Sequence, residues 1–252
     1  MTTGSNKKIY FLSDFHLGAP DAKLSLVREK KIVQFLDSIK QDAEQIFVVG
    51  DLFDFWFEYK HVVPKGYVRI LGKLAELTDA GIDIRFFVGN HDMWMKSYFQ
   101  QELNIPVYFE PAYFNLRGKK FLIGHGDGLG PGDKGYKMLK KIFRNPVCQW
   151  LFGIIPPSIG IGLANYFSKK SRQAAGNHQL EKFMGEENEW LILYCKEVLK
   201  TEQLDYFIFG HRHLPLDIHL NENSRYINLG EWINYNSYAV LEGDRMFLKY
   251  YN

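Results

Sequence analysis

The chain has 252 residues, 46% of them hydrophobic, a composition that suits a soluble globular enzyme with one sizeable core. Its 31 basic and 29 acidic residues give a net charge of +2, which argues against a general nucleic-acid binder. The two cysteines, Cys148 and Cys195, exclude a disulfide framework and indicate a reducing compartment.

The sequence contains no unbroken apolar stretch of the roughly 20 residues that a membrane-spanning helix needs. Its first apolar run, near Ile9, is too short for a signal peptide and passes directly into a predicted strand. We therefore expect a cytoplasmic location.

Strands and helices alternate in the first half of the chain. The predicted elements are strand Lys8–Leu12, helix Leu24–Lys40, strand Ile46–Val49, helix Tyr67–Ala80, strand Ile84–Val88 and a shorter helix near Met93–Gln101. Gly81 is expected to follow the second helix as a C-cap. This order predicts βαβ units and parallel strands.

Short strands follow, and then a helical pattern from Gly135 to about Leu199. The other predicted strands are Val107–Phe109, Tyr113–Leu116, Lys120–Ile123, Tyr206–Phe209, Leu216–Leu220, Arg225–Asn228, Ser237–Leu241 and Met246–Tyr250. Arg117-Gly118 and Gly243-Asp244 are predicted turns. We expect one α/β domain over residues 1–252, with two packed mixed sheets, flanking helices and a helical insertion at about 130–200.

Five of the predicted strands end abruptly in Asp, Asn or His. The runs are Ile9–His16, Ile46–Asp51, Ile84–Asp92, Phe121–Asp127 and Tyr206–His213. A buried strand that ends in a polar residue presents that side chain at one edge of its sheet. Five such endings predict a single site assembled from several strands.

The polar residues at these endings are typical ligands of divalent transition metals. They are Asp14, His16, Asp51, Asn90, His125, His211 and His213. A lone histidine is more often a core or loop residue, and a lone Asp51 could be a helix N-cap, but the joint pattern favours metal binding. Mixed N and O donors suit Mn²⁺, Fe²⁺, Co²⁺ or Zn²⁺. Seven donors exceed the need of one catalytic ion, so we expect two ions sharing a carboxylate, a pair that clamps phosphate oxygens and activates water.

The motifs D-x-H, G-D-x-x-D, G-N-H-D, G-H and G-H-x-H occur in this order from residue 14 to 213. The chain thereby resembles the calcineurin-like metallophosphoesterase superfamily. The resemblance implies a four-layer αββα sandwich. It also implies that one metal is held by Asp14, His16, Asp51 and His213 and the other by Asp51, Asn90, His125 and His211, with Mn²⁺ the expected ion.

The insertion combines basic and apolar residues. Lys137, Lys140, Lys141 and Arg144 precede a broad apolar stretch from Trp150 to Leu163, and Lys169, Lys170 and Arg172 follow it. A basic-flanked apolar helical pair predicts a lid for an amphiphile with an anionic head. The alternative is that these apolar residues only pack the insertion onto the body of the protein.

The insertion is similar to that of one branch, the UDP-2,3-diacylglucosamine pyrophosphatases of lipid A synthesis. The matching residues are Asp133, Gly135-Tyr136, Arg144-Asn145-Pro146, Leu151-Phe152, Pro156, Ser168 and Ser171-Arg172. The resemblance implies cleavage of the UDP diphosphate, with charge held by Asn90 and His211. It also implies head-group contacts from Asp133, Tyr136, Ser171 and Arg172, and peripheral attachment to the cytoplasmic face of the inner membrane without an obligate protein partner.

This chain has His91 where that branch often has Arg. His91 restores the general superfamily pattern, in which a histidine backed by an aspartate is the acid for the leaving group, and the adjacent Asp92 is expected to orient it. A relative acting on another nucleotide or lipid-linked diphosphate stays open, as does a non-catalytic scaffold. All seven donors are present, which a scaffold would not need.

Overall fold

The computed structural model describes residues 7–132, 134–175 and 182–252, without the side chains of Asn165, Lys169 and residues 171–175. Two mixed sheets form the body. The first has the strand order β11-β10-β1-β2-β3-β4. Its strands are β1 (Lys8–Leu12), β2 (Ala43–Val49), β3 (Asp83–Phe87), β4 (Val107–Tyr108), β10 (Ser237–Glu242) and β11 (Arg245–Tyr250). Strands β1 to β4 are parallel, and β10 is antiparallel to both β1 and β11.

The second sheet has the order β5-β6-β7-β9-β8. Its strands are β5 (Ala112–Leu116), β6 (Lys119–Ile123), β7 (Tyr206–Phe209), β8 (Pro215–His219) and β9 (Arg225–Leu229). Strands β6, β7 and β9 are parallel, whereas β5 and β8 are antiparallel edge strands. Both sheets are therefore mixed, as the sequence predicts.

Helices cover the outer face of each sheet. Helices α1 (Ala22–Ile39), α2 (Val68–Asp79) and α3 (Tyr98–Leu103) flank the first sheet, and α7 (Trp190–Val198) flanks the second. Between the sheets lies an aromatic and aliphatic core, in which the Phe11 ring stacks on those of Phe47 and Phe121 at 5.1 and 5.9 Å. The four-layer αββα arrangement is confirmed.

In the described part of the insertion, three consecutive helices precede α7, namely α4 (Lys134–Phe143), α5 (Pro146–Ile154) and α6 (Pro157–Ala175). Asn145 caps α5 by accepting the Val147 N–H, with Pro146 at the first helical position. Ile155 is extended, as expected of a residue before proline, and this separates α5 from α6. Among the described residues no helix combines the length and apolarity needed to cross a membrane.

One helix boundary differs from the prediction. The third helix begins at Tyr98 rather than near Met93. The Glu58 carboxylate accepts the backbone N–H groups of Lys96, Ser97 and Tyr98, which fixes where the helix can start. Met93 itself is buried ahead of the helix. The predicted turn at Arg117-Gly118 is confirmed by the left-handed backbone at both positions.

Candidate metal centre

The carboxyl ends of the parallel strands of both sheets meet at one edge of the sandwich. Asp14, Asp51 and Asn90 follow β1, β2 and β3 of the first sheet, and His125 and His211 follow β6 and β7 of the second. The site is therefore built by two sheets at once, and no single element contains it.

The first group of donors is Asp14, His16, Asp51 and His213, whose ligand atoms lie within 4.8 Å of one another. His213 Nε2 is 3.1 Å from Asp14 Oδ1 and 3.0 Å from His16 Nε2. His16 Nε2 is 3.8 Å from Asp51 Oδ2. Three of these residues are buried, and His213 is partly buried.

The second group shares Asp51. His125 Nε2 lies 3.3 Å from Asp51 Oδ2 and 3.2 Å from Asn90 Oδ1. The His211 ring is 5.1 Å from the His125 ring, centroid to centroid. The seven predicted donors thus lie together, with Asp51 between the two groups, while their roles as ligands stay a prediction.

These residues fit a pair of metal ions. Asp14 Oδ1 and Asp51 Oδ2 are buried and have no hydrogen-bond partner among the described residues, although both face histidine nitrogens. Buried carboxylate oxygens of this kind are costly unless a cation satisfies them. Donors that each bind one ion at about 2.0–2.2 Å are separated from each other by about 3–3.5 Å. The distances from His213 Nε2 to Asp14 and His16, 3.1 and 3.0 Å, and from His125 Nε2 to Asp51 and Asn90, 3.3 and 3.2 Å, lie in this range.

Five of the seven donors have left-handed backbone. The φ angles are 56° for Asp14, 45° for His16, 53° for Asp51, 64° for His211 and 57° for His213. Such angles are uncommon outside glycine and concentrate at functional sites. Asp14 and His16 therefore converge through left-handed backbone at both residues.

Backbone contacts hold the donors in place. His125 Nδ1 lies 2.9 Å from the Val49 carbonyl, which leaves Nε2 facing Asp51. The Arg28 guanidinium donates to the His16 carbonyl at 2.8 Å, and the backbone N–H groups of His91 and His211 donate to Asp51 and Asp14. A Cβ at Gly89 would overlap the Asp51 carboxylate, which explains the glycine before Asn90.

Charges in the site divide the histidines into two classes. Burial lowers the pKa of His125, but the charge and hydrogen bond of Asp51 outweigh burial and raise this pKa to about 10. The pKa of His213 is likewise raised, against burial, by Asp14. Burial lowers the pKa of His16 and of His211 to about 4 each. Without metal, His125 therefore carries a proton at neutral pH, whereas His16 and His211 do not.

The structure corrects the expectation for Asp92. Its carboxylate accepts N–H groups of Leu52 at 2.9 Å and Gly89 at 2.7 Å, so it holds loops together and does not orient the neighbouring ring. The ring of His91 instead directs Nδ1 to Asp54, 3.0 Å from its carbonyl and 3.6 Å from its carboxylate. Burial and the Asp51 charge raise the pKa of Asp92 to about 7.

Ser168 of α6 contacts both Asp54 and His91. Its hydroxyl donates to Asp54 Oδ2 at 3.0 Å and lies 3.4 Å from His91 Nδ1. Sequence reasoning missed this contact, because Ser168 is 114 residues from Asp54. Ser171 and Arg172 lie within α6, but their side chains are not among the parts of the chain that the structure describes. Asp133 lies wholly outside the described residues.

A second polar cluster joins α4 to the site. The Tyr136 hydroxyl donates to Asp127 Oδ2 at 2.7 Å, and Lys140 Nζ lies 2.6 Å from the same oxygen. The Tyr136 ring is 6.4 Å from that of His211. Asp127 lies two positions after the predicted ligand His125. This spacing is the sequence feature from which its place beside the site could have been predicted.

Arg212, between His211 and His213, forms a buried ion pair with Glu189. Nε and Nη2 of Arg212 lie 2.9 and 3.0 Å from the two carboxylate oxygens, and both side chains are at most 2% exposed. Glu189 precedes α7, so the pair ties the loop carrying two predicted ligands to the segment that returns from the insertion.

A two-sheet sandwich with His, Asp and Asn donors at the carboxyl edge defines a metal-dependent phosphoester hydrolase. The profile of the calcineurin-like phosphoesterase family matches residues 7–215, and the chain belongs to this family. A protein of Porphyromonas gingivalis named UDP-2,3-diacylglucosamine hydrolase is 40% identical over 253 residues, covering 96% of this chain and 97% of that protein. Proteins of the same name from Histophilus somni and Vibrio vulnificus are 29% and 28% identical. They cover 90% and 93% of this chain, and 92% and 93% of their own lengths.

Proposed function

We propose that this protein hydrolyses the diphosphate of UDP-2,3-diacylglucosamine, producing UMP and 2,3-diacylglucosamine 1-phosphate for lipid A biosynthesis. The observation that carries the proposal is the convergence of seven donors beside an apolar insertion. The near full-length similarity to proteins named for this substrate supports it.

Two divalent ions, proposed to be Mn²⁺, would be held by the two donor groups that share Asp51. When bound, such a pair neutralises phosphate charge and supplies an activated water. Asn90 and His211 belong to the second donor group. There the amide and imidazole N–H groups can donate hydrogen bonds to phosphate oxygens on which negative charge develops.

His91 is the proposed acid for the leaving group. Its Nδ1 faces Asp54, which leaves Nε2 as the ring nitrogen that can give a proton to the departing oxygen. Ser168 contacts both residues, so α6 would position this acid once the insertion is docked. Ser168 is in this sense a positioning residue.

The insertion is the proposed lid for the acyl chains. Its three helices expose twelve large apolar side chains, namely Met138, Leu139, Ile142, Phe143, Val147, Trp150, Leu151, Ile154, Ile159, Leu163, Tyr166 and Phe167. An exposed apolar surface of this extent suits contact with lipid. Phe152, in contrast, packs on Phe57 and Trp94 at 4.8 and 4.7 Å and anchors α5.

For the head group, Tyr136 stands nearest the second donor group, and Asp133, Ser171 and Arg172 are proposed to join it. The lid would place the enzyme on the cytoplasmic face of the inner membrane as a peripheral protein. Nucleic acid and an obligate protein partner have no part in this proposal.

The decisive measurement is Mn²⁺-dependent release of UMP from the diacylated UDP-sugar and from UDP-N-acetylglucosamine at equal concentration. We expect rapid release from the first and little from the second. Equal rates would refute the acyl-binding role of the insertion. Faster turnover of bis-p-nitrophenyl phosphate than of the lipid would instead indicate a general phosphodiesterase.

A further inference from the structure

The first helix of the insertion lies on the surface of the body without entering its core. None of the ten residues of α4 is buried, and they include four lysines and no acidic residue. At the C-terminal end of α4, Trp94 Nε1 donates to the Phe143 carbonyl at 2.6 Å. Just beyond this end, Arg144 Nη2 donates to the Phe109 carbonyl at 3.0 Å. Polar contacts with the body therefore decide where α4 lies over the site.

One carboxylate holds the N-terminal half of α4. Tyr136 and Lys140 are four residues apart, so both side chains lie on the same face of the helix. Both contact Asp127 Oδ2, the hydroxyl at 2.7 Å and the ammonium at 2.6 Å. Lys140 Nζ also donates to the Asp127 carbonyl at 3.0 Å. Lys140 is thus bound to Asp127 through its carboxylate and through its backbone.

Asp127 is itself fixed relative to the predicted metal ligands. Its side chain is only 7% exposed, and it lies two positions after His125. The His125 carbonyl accepts the Gly210 N–H at 3.0 Å, which joins the end of β6 to the end of β7, directly before His211. A buried carboxylate needs a cation or hydrogen-bond donors, and α4 supplies both. The helix is therefore fastened to the two strand ends that carry His125 and His211.

The contact between α4 and this part of the site is closed. Asp127, Lys140 and His125 line a cleft of about 10 Å³, which has room for one water molecule at most. A Cβ at Gly128 would lie 3.4 Å from the Tyr136 ring and 3.6 Å from Lys140 Cδ, so the loop packs directly against both side chains. Because no substrate group fits between Lys140 and Asp127, the Lys140 ammonium is placed to hold the helix.

We propose that Asp127 and Lys140 are positioning residues, which hold α4 so that Tyr136 lies beside His211, where the anionic head group of the substrate binds. This inference rests on the proposed function for the identity of the substrate. The Tyr136 ring is 6.4 Å from that of His211. Neither Asp127 nor Lys140 touches the substrate in this arrangement. Loss of the ammonium should therefore weaken head-group binding and leave the metal donors in place.

The experiment changes Lys140 and not Asp127, because Asp127 lies close to the predicted ligand His125. In full-length Lys140→Met, KM for the diacylated UDP-sugar dispersed in detergent should rise about tenfold, with kcat within about twofold of the wild type. Hydrolysis of bis-p-nitrophenyl phosphate, which has no such head group, should change far less. Lys140→Arg retains the cation and should restore most of the affinity. The matched control is Lys141→Met, which removes the same charge from an exposed position of the same helix.

A double-mutant cycle tests whether Lys140 acts through Tyr136. Tyr136→Phe should also raise KM, and the two changes together should have a less than additive effect, because both act on the same contact with Asp127. Additive effects would overturn the proposal, as would a wild-type KM in Lys140→Met.

Hydrogen exchange and metal titration separate this role from the alternatives. Exchange of the α4 amides should accelerate in Lys140→Met and not in Lys141→Met, and Mn²⁺ affinity should match the wild type in both. Wild-type exchange in Lys140→Met would overturn the proposal. A loss of Mn²⁺ affinity, or equal losses on the lipid and on bis-p-nitrophenyl phosphate, would overturn it by assigning the ion pair to the metal centre. If the wild type does not hydrolyse the lipid, the proposed function fails, and hydrogen exchange still decides whether Lys140 holds α4.

Discussion

At the scale of single residues, the site depends on backbone conformations that ordinary side chains rarely adopt. The five left-handed donors can be kept in place because their surroundings determine them: Arg28 binds the carbonyl of His16, and Gly89 leaves room for the Asp51 carboxylate. A single carbon atom added next to Asp51 should therefore weaken metal binding.

The change Gly89→Ala tests this packing. Its Cβ would overlap Asp51 Oδ1 and lie 2.6 Å from the Asp51 backbone nitrogen, so we expect Mn²⁺ affinity to fall about 10- to 100-fold. Calorimetric titration measures the change. Gly72→Ala is the control, since a Cβ at this exposed position in α2 meets no described atom within 4 Å. It should leave metal affinity alone and stabilise the fold by about 0.5–1 kcal/mol.

The change His91→Asn tests the proposed acid. We expect kcat for diphenyl phosphate, whose phenoxide leaving group is strongly basic, to fall by about 10² to 10⁴, because that oxygen needs a proton as it departs. Bis-p-nitrophenyl phosphate, whose leaving group departs without one, should lose far less. Equal losses on both substrates would exclude His91 as the acid. His219→Asn, an exposed histidine of β8, should match the wild type on both.

At the scale of elements, the loop from Gly210 to His213 is fastened to the start of α7 by the Arg212–Glu189 pair. The change Arg212→Met leaves the Glu189 charge buried without its partner. Because breaking a buried pair from one side is costly, we expect a loss of about 3–5 kcal/mol in the free energy of unfolding.

Urea unfolding with Lys200→Met as the control measures this loss. Lys200 pairs with Glu197 on the surface, where both side chains are at least 67% exposed, so its removal should cost at most about 1 kcal/mol. Arg212→Met should also weaken metal binding, because the neighbouring donors lose their anchor. Equal midpoints for the two variants would contradict a stabilising role for the pair.

For the molecule as a whole, metal binding and proton release should be linked. The pKa of His125 is about 10, so His125 must lose a proton to become a ligand, and the raised pKa of His213 acts in the same direction. Mn²⁺ affinity of the metal-free protein should therefore increase as pH rises from neutrality. Titration calorimetry in buffers of different ionisation enthalpy counts the protons, and an affinity independent of pH would contradict the expectation.

The raised pKa of His125 has the opposite effect on the stability of the metal-free protein, which should decrease as pH rises. Because the pKa of His125 is raised above its ordinary 6.5, its contribution to stability is complete below that value and disappears as pH rises toward about 10. The free energy of unfolding measured in chelator should decline over this interval. Added Mn²⁺ should abolish the decline, since metal replaces the protons.

Much of the architecture was predictable because several strands are apolar runs that end in a polar residue. Asp14, Asp51 and His125 come directly after apolar runs, and chain order with the right-handed βαβ rule then brings those ends together. What could not be predicted depends on long-range contacts: Ser168 meets Asp54 across the insertion, and Glu58 sets the start of α3 from a distant loop. Adjacency in sequence misled at Asp92, whose side chain turns away from its neighbour.

The chain order of the first sheet has a consequence for biosynthesis. Strand β1 is synthesised long before its antiparallel neighbour β10, which spans Ser237–Glu242. Until β10 has left the ribosome, one flank of β1 has no native hydrogen-bonding partner. The nascent polypeptide therefore cannot complete its first sheet before that point, and premature stop codons before β10 should yield chains that aggregate or are degraded.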